Sequence, residues 1–235
     1  MHELLTIVIP CYNEEKYIAR ALQNIHDQKF SKFIRIIIAD AGSTDATIEI
    51  INSFKDKLDI EIIKGGLPSV GRNAGARLAD TEWILFLDAD ITFTSESVIF
   101  DSIYQVMFNN YSMIGTTPKY LGEPDIRANT MFFLNKISTW FLSKNRPFAI
   151  GGFTLIRRDV FIGLGGYDEK AHQSEDWLLS RQIEPKNFKL IPDLITQDNR
   201  RFKKYGYFNM IKLLYRNWKN RDNAEYFYNA QNYWD

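Results

Sequence analysis

The chain of 235 residues has a single cysteine, Cys11, so no internal disulfide can form and a reducing compartment is the expected setting. It lacks any uninterrupted apolar run near the roughly 18 residues a spanning helix needs. A strand-like run begins almost at once, so no signal peptide is expected. Net charge is also missing: 29 basic and 29 acidic residues cancel, so bulk electrostatics make no case for a nucleic-acid partner. No internal repeat or low-complexity linker interrupts the sequence, and residues 1–235 read as one domain. With 45% hydrophobic and 25% charged residues, the composition is that of an ordinary soluble globular protein. The expectation is a cytoplasmic enzyme.

What is present is an alternation of strand and helix signals. Residues 4–10, 33–39, 60–63 and 83–87 are short apolar runs of the kind found in buried strands. Between them lie helical periods. Asn13 is a candidate cap for a helix with Glu14 and Glu15 in its first turn and Tyr17, Ile18, Ala21, Leu22 and Ile25 at helical spacing. Ile48, Ile51 and Phe54 continue the pattern, and Ser69 is the candidate cap of a third helix. This order predicts right-handed crossovers, a parallel α/β sheet and ligands at its carboxyl edge. The second half is less regular. Residues 95–109 read as a helix, and 113–117 and 151–157 as strands. The broad apolar face of Met131, Phe132, Leu134, Ile137, Trp140 and Phe141 reads as a packed core helix, with a groove for a greasy acceptor as the rival.

Leu87-Asp88-Ala89-Asp90 is the most informative stretch. It sets two carboxylates one residue apart where a buried strand leaves the core. On an extended chain the two would point the same way and repel unless a cation lay between them. A divalent ion bridging to a diphosphate supplies such a cation. Other strand ends carry complementary groups. Pro10, Tyr12 and Glu14 follow the first strand, and the tyrosine ring suits stacking on a base. Asp40 ends the second, just before Gly42-Ser43-Thr44-Asp45. As an acceptor-only group it suits a base with ring N–H donors, uracil or guanine. Gly71-Arg72-Asn73-Ala74-Gly75 opens a helix with small residues, and Arg72 there is placed to meet a diphosphate or base.

In this order the blocks Val8-Ile9-Pro10-Cys11-Tyr12-Asn13-Glu14-Glu15, Ala39-Asp40-Ala41-Gly42-Ser43-Thr44-Asp45, Gly71-Arg72-Asn73-Ala74-Gly75 and Leu87-Asp88-Ala89-Asp90 resemble those of the inverting, nucleotide-sugar-dependent glycosyltransferases of family two, which have the GT-A fold. The likeness is dense over residues 4–92 and thinner through Gly151-Gly152-Phe153, Gly165-Gly166-Tyr167-Asp168-Glu169 and Glu175-Asp176. It implies a GT-A type, Rossmann-like, mostly parallel sheet, with a nucleotide-binding half (1–92), an acceptor half (93–199) and a basic aromatic helical region (200–235). It also implies donor contacts from Pro10, Tyr12, Glu14, Asp40, Arg72, Asp88 and Ala89. Mn2+ or Mg2+ would sit on Asp90 with help from Asp88. Asp176 would be the catalytic base, supported by Glu175 in a helix start that Ser174 is placed to cap. The donor would be a UDP-sugar or GDP-sugar.

The sequence departs from the family pattern in places. Ala41 stands where the turn often has a second acid, which leaves the choice of base open. The Gln-x-x-Arg-Trp motif of processive synthases is absent, so transfer of a single sugar to a glycan or to a polyprenyl or other lipid-linked acceptor is expected. His172 is the candidate histidine for the metal, with a loop histidine as the alternative. Arg200, Arg201 and Lys203 are candidate diphosphate contacts. Phe208, Ile211, Leu214, Tyr215 and Trp218 share a helical face beside Lys212, Arg216 and Lys219. That face reads either as docked on the sheet or as a contact with the inner surface of a membrane. Two rival functions remain. A sugar-nucleotide pyrophosphorylase would carry a glycine-rich loop with Arg and Lys where Tyr12-Asn13-Glu14-Glu15 stands. A non-catalytic carbohydrate- or lipid-binding relative would have no use for Asp88, Asp90 and Asp176.

Overall fold

The computed structural model describes residues 4–229. In chain order the strands are β1 (Leu5–Cys11), β2 (Ile34–Asp40), β3 (Asp59–Lys64), β4 (Trp83–Leu87), β5 (Thr92–Phe93), β6 (Met113–Gly115), β7 (Lys119–Tyr120), β8 (Phe153–Arg157), β9 (Phe188–Leu190) and β10 (Ile195–Gln197). The helices are α1 (Ile18–His26), α2 (Thr47–Asn52), α3 (Pro68–Leu78), α4 (Val98–Asn109), α5 (Ile126–Ser143), α6 (Arg158–Gly163), α7 (Glu175–Ser180), α8 (Arg200–Tyr205), α9 (Tyr207–Lys219) and α10 (Ala224–Tyr228).

Seven strands form the central sheet in the order β3-β2-β1-β4-β8-β6-β9, and β5, β10 and β7 form a smaller one. β1 lies between β2 and β4, parallel to both, so the strand order reverses at the β1/β4 boundary. A crevice at such a reversal is where open α/β sheets bind ligands. In the central sheet the exception to the parallel expectation is β8, which runs antiparallel to both β4 and β6. Its first residue, Phe153, pairs with Leu87, the last of β4. The reversal has a consequence for the site: it brings Gly151 and Gly152 to the carboxyl edge, beside Asp88.

The core follows from the sequence pattern. Ile7, Ile9, Ile36, Ile38, Leu85 and Leu87 on one face of the sheet pack against Ile18, Leu22 and Ile25 of α1. Each such side chain removed from water contributes about 1.5–3 kcal/mol. On the other face Val8, Ile37 and Phe86 pack with Ala76 of α3, Phe161 and Tyr167. Gly75 allows α3 to approach so closely, because a Cβ there would lie 2.4 Å from Val8 Cγ1.

Three expected caps do not form. α1 starts at Ile18 with Tyr17 as its N-cap, because Asn13 adopts φ +52° and uses its side chain to tie two loops together. Pro68 is the first residue of α3, which places Ser69 inside the helix. Ser174 precedes α7 at φ +57° and makes no capping bond. The helices expected around residues 131–141 and 208–218 are present, but the first is not a packed core helix. α5 buries Ala128, Phe132, Thr139 and Ser143 and turns Phe133, Leu134, Trp140 and Phe141 outward. α9 buries Met210 and exposes Phe208, Ile211, Leu214, Tyr215 and Trp218, so that face is not docked on the sheet.

Candidate active site

The loops that follow β1 and β2 are laced together. Asn13 N–H donates to Ser43 Oγ at 2.9 Å, and Thr44 N–H donates to Asn13 Oδ1 at 2.8 Å. Glu14 N–H donates to Thr47 Oγ1 at 2.8 Å, and Ala46 N–H to Glu15 Oε2 at 3.1 Å. Asp40 accepts from Gly42 N–H (2.9 Å), Ser43 N–H (3.1 Å) and Ser43 Oγ–H (2.6 Å). These bonds leave the loop edge rigid and polar, beside the Tyr12 ring, which is 58% exposed. Pro10 is partly exposed at the same edge. Cys11 is buried behind it. Burial, together with Glu14, Asp40 and Asp45, pushes its thiol up to about 12, so it stays protonated and inert.

The acidic pair is arranged differently from the extended geometry expected. β4 ends at Leu87, and the chain turns at once, with Ile91 N–H donating to the carbonyl of Asp88. Ala89 points into the core, and each carboxylate acquires its own guanidinium. Asp88 Oδ1 receives Arg72 Nη2 at 2.7 Å. Asp90 Oδ2 receives Arg200 Nη2 at 2.7 Å, and the same guanidinium reaches Glu14 Oε1 at 3.4 Å while lying 4.3 Å from the Tyr17 ring centre. Burial pushes the Asp90 carboxyl up to about 6, with Asp88 and Glu14 adding to the rise and Arg200 opposing it. Burial likewise raises Glu14, against the pull of Arg200. The residues Glu14, Asp88 and Asp90 thus form an anionic lip partly neutralised by two arginines, Arg72 of α3 on Asp88 and Arg200 of α8 on Asp90 and Glu14.

Arg72 does not face outward as a diphosphate contact would. It is 2% exposed, and its fork joins two halves of the molecule, Nη2 on Asp88 and Nη1 on Glu175 Oε1 at 2.6 Å. Its cation also sits 5.4 Å from the Tyr167 ring centre. A Cβ on Gly151 would lie 2.7 Å from Nη2, so glycine is needed for the guanidinium to fit. Neighbouring Asn73 fastens the same region: its Nδ2 donates to the Tyr167 carbonyl (2.8 Å) and Glu169 Oε1 (2.9 Å), and its Oδ1 accepts from Tyr167 N–H (2.9 Å). Gly166, at φ +78°, leaves room for that amide.

Asp176 follows Glu175 in the first turn of α7. Its Oδ2 accepts from Gly151 N–H at 2.8 Å and its Oδ1 from Trp177 N–H at 2.7 Å. Burial and the adjoining Glu175 push its carboxyl up to about 7, against both N–H bonds and Arg72. A carboxylate of that kind exchanges a proton near neutral pH, as a general base must. Asp88, Arg72, Gly151, Glu175 and Asp176 are therefore contiguous, although they come from four separate parts of the chain.

Other expected residues fall elsewhere. Lys203 lies beside Asp125 in a shallow cavity lined by Tyr120 and Glu123. His172 donates its backbone N–H to the Phe227 carbonyl, which sets its backbone against α10. Arg201 is near enough to Asp90 to oppose the rise in its pKa. Among the described residues no group of three or more His, Cys, Asp or Glu side chains is arranged to hold a metal by itself. The lip is nonetheless suited to a hard cation, because its donors are all carboxylate oxygens and phosphates commonly complete such a site. Sequence reasoning missed the inward role of Arg72, the clasp by Asn73 and the Tyr17–Arg200 stack. The first two sit inside the Gly-Arg-Asn-Ala-Gly block, so the motif flagged the positions but not their direction.

The Glycosyl transferase family 2 model matches residues 6–165, and the chain belongs to this family. Curated relatives include the poly(ribitol-phosphate) beta-N-acetylglucosaminyltransferase TarS of Staphylococcus aureus, 31% identical over 98 residues, covering 40% of this chain and 17% of TarS. The minor teichoic acid biosynthesis protein GgaA of Bacillus subtilis is 28% identical over 197 residues, covering 77% of this chain and 43% of GgaA. The chain thus spans less than half the length of these relatives. A crystal structure of S. aureus TarS with UDP-GlcNAc superposes with a TM-score of 0.67 at 19% identity, over 84% of this chain and 59% of that one. A mannosyltransferase from Pyrobaculum calidifontis, in complex with GDP-Man and Mn2+, gives 0.66 at 18% identity over 83% and 56%. The fold is that of the GT-A glycosyltransferases.

Proposed function

We propose that the protein is an inverting, non-processive glycosyltransferase. It moves one sugar from a UDP- or GDP-sugar to a hydroxyl or phosphate oxygen of a glycan or lipid-linked acceptor. The observation that carries this reading is the placement of Asp176, a carboxyl tuned to about 7 and linked through Gly151 and Arg72 to Asp88 at the donor lip. TarS and the mannosyltransferase, which share the fold, have solved structures in complex with UDP-GlcNAc and with GDP-Man plus Mn2+.

The chemistry is a single displacement. Asp176 takes the proton from the acceptor O–H, and that oxygen's electron pair forms a bond to the anomeric carbon. The bond from that carbon to the phosphate oxygen breaks, its pair leaving with the nucleoside diphosphate, and the configuration inverts. Glu175, held by Arg72, fixes the start of α7 and so the position of Asp176. Tyr12, Pro10 and Asp40 receive the nucleoside. Bound at Asp90 with Asp88, Mn2+ or Mg2+ would supply positive charge opposite the leaving phosphate. Arg200, paired with Asp90 at 2.7 Å, would be a further cation for those phosphates. The working location proposed is the cytoplasm, at the inner face of the membrane, with the basic aromatic face of α9 in contact with it.

The decisive variant is Asp176→Asn, which keeps the shape and removes the proton acceptor. Turnover should fall about 10²–10⁴-fold, while thermal stabilisation by UDP or GDP persists. In the wild type, activity should rise with pH and level off above about 7. Undiminished turnover by the asparagine variant would overturn the assignment.

A further inference from the structure

α5 and α9 are built inside out. Along α5 Phe132 and the small or polar Ala128, Thr139 and Ser143 are buried, while Phe133, Leu134, Trp140 and Phe141 are exposed. α9 buries Met210 and exposes Ile211, Leu214, Tyr215 and Trp218. The two helices meet α7 and α10 around a cavity of about 710 Å³ whose walls are almost wholly apolar. That volume lies within the roughly 300–1,000 Å³ typical of small-molecule sites.

Two further observations say what fills it. One is position. Ser174 and Trp177 line the cavity, and Glu175 and Asp176 lie between them in sequence. Phe148 lines it too, three residues before Gly151, whose N–H holds Asp176. The cavity and the base therefore share a wall. The other is charge. Arg221 lines it, and Lys144, Lys212, Arg216 and Lys219 are exposed on or at the end of α5 and α9, the two helices that bound it; the nearby acid Asp222 pairs with Arg146 and, at 4.0 Å, with Arg221. A second copy of this chain would bring the same cations against themselves. An anionic lipid brings both a hydrocarbon chain for the walls and a negative head for the rim.

We propose that this cavity is the acceptor subsite and that it takes the hydrocarbon chain of a prenyl- or acyl-type lipid bearing a phosphate group. The lipid's head end is thereby delivered to Asp176. The inference rests on the transferase reading and narrows its acceptor from a glycan or lipid to a lipid.

The test uses farnesyl phosphate below its aggregation concentration as the probe, followed by quenching of tryptophan fluorescence, with inorganic phosphate as the comparison. Wild-type protein should bind farnesyl phosphate and should ignore inorganic phosphate at the same concentration. Leu134→Asp and Leu214→Asp place a carboxylate among apolar walls at positions 53% and 46% exposed, so the fold should survive. Each should weaken lipid binding by about tenfold or more, with thermal unfolding confirming the native state. The proposal falls if the wild type does not bind, if either folded variant binds equally well, or if inorganic phosphate binds as well as the lipid. It falls too if the wild type is a dimer that Leu134→Asp dissociates, since the groove would then be an interface between copies. Thermal shifts of the wild type with UDP and GDP keep the two readings apart. A shift without lipid binding removes only the subsite, and no shift with either nucleotide removes the transferase itself.

Discussion

α1 and α5 are both rich in large apolar side chains, yet α1 gathers them on one buried face while α5 spreads most of its own into solvent. Ile18, Ala21, Leu22 and Ile25 of α1 are all buried against the sheet. In α5 most of the large apolar residues stand in solvent, and the helix is seated by Phe132 together with the small or polar Ala128, Thr139 and Ser143. The difference lies in what each helix has to cover. α1 follows a strand whose neighbours present a broad apolar face, so burial there is the only favourable packing. α5 packs on β7 of the smaller sheet through Phe132 and Tyr120, and with α9 it lines a cavity instead. A periodic pattern shows that a helix has an apolar face; the partner for that face has to be found elsewhere.

The sharpest way to break the contrast is to cut the connection between the two regions. Arg72→Met removes the cation that joins Asp88 to Glu175 and leaves two carboxylates facing an apolar side chain. Loss of one member of a buried ion pair costs about 3–5 kcal/mol, and equilibrium urea unfolding would measure it. The deficit should shrink as pH falls, because protonation relieves the stranded acids. A pH-independent deficit would show that packing of the guanidinium, not its charge, matters at Arg72.

Next in size is a core deletion in the nucleotide half. Ile38→Ala empties a fully buried position in β2 and should cost roughly 2–5 kcal/mol. A loss well under that would mean that the first half relaxes as readily as the second.

A smaller effect comes from Asp176. Its folded carboxyl titrates at about 7, above the ordinary carboxylate value, so the native state holds that proton more tightly than the unfolded chain. The contribution favours folding in acid and is lost as pH climbs from the ordinary carboxylate range through about 7, above which both states have given up the proton, at about 1.4 kcal/mol per unit. Calorimetry from pH 5 to 8 should therefore show wild-type stability declining relative to Asp176→Asn. The opposite slope would mean that Asp176 is stabilised as the anion.

Most of the fold was legible because its first half obeys short-range rules. Continuous runs such as 33–39 can be little else than buried strands, and the loops between them carry turn residues. β8 was legible as a strand but not as antiparallel, since its direction depends on the chain's path through α5. The site was legible as a set of residues more than as an arrangement. Asp88 and Asp90 were conspicuous, but a turn after Leu87 separates them and gives each a different arginine. Neither Arg72 nor Arg200 announces its partners in sequence, because Glu175 and Asp90 are 103 and 110 residues away from them respectively. Ion pairs over such separations are set by topology, which local patterns do not encode.

The weakest perturbation draws the finest line between the halves. Leu134→Ala and Leu214→Ala delete as much hydrocarbon as many damaging core changes, but from side chains roughly half in water. If those faces belong to a groove awaiting a ligand, little packing is lost, and each should change stability by no more than about 0.5 kcal/mol. The same substitutions should reduce the thermal shift produced by farnesyl phosphate, because the surface removed is surface the lipid would cover. A large loss of stability without ligand would mean that α5 and α9 already close on each other in solution. The contrast with α1 would then be one of degree, the second half folding around a core of its own.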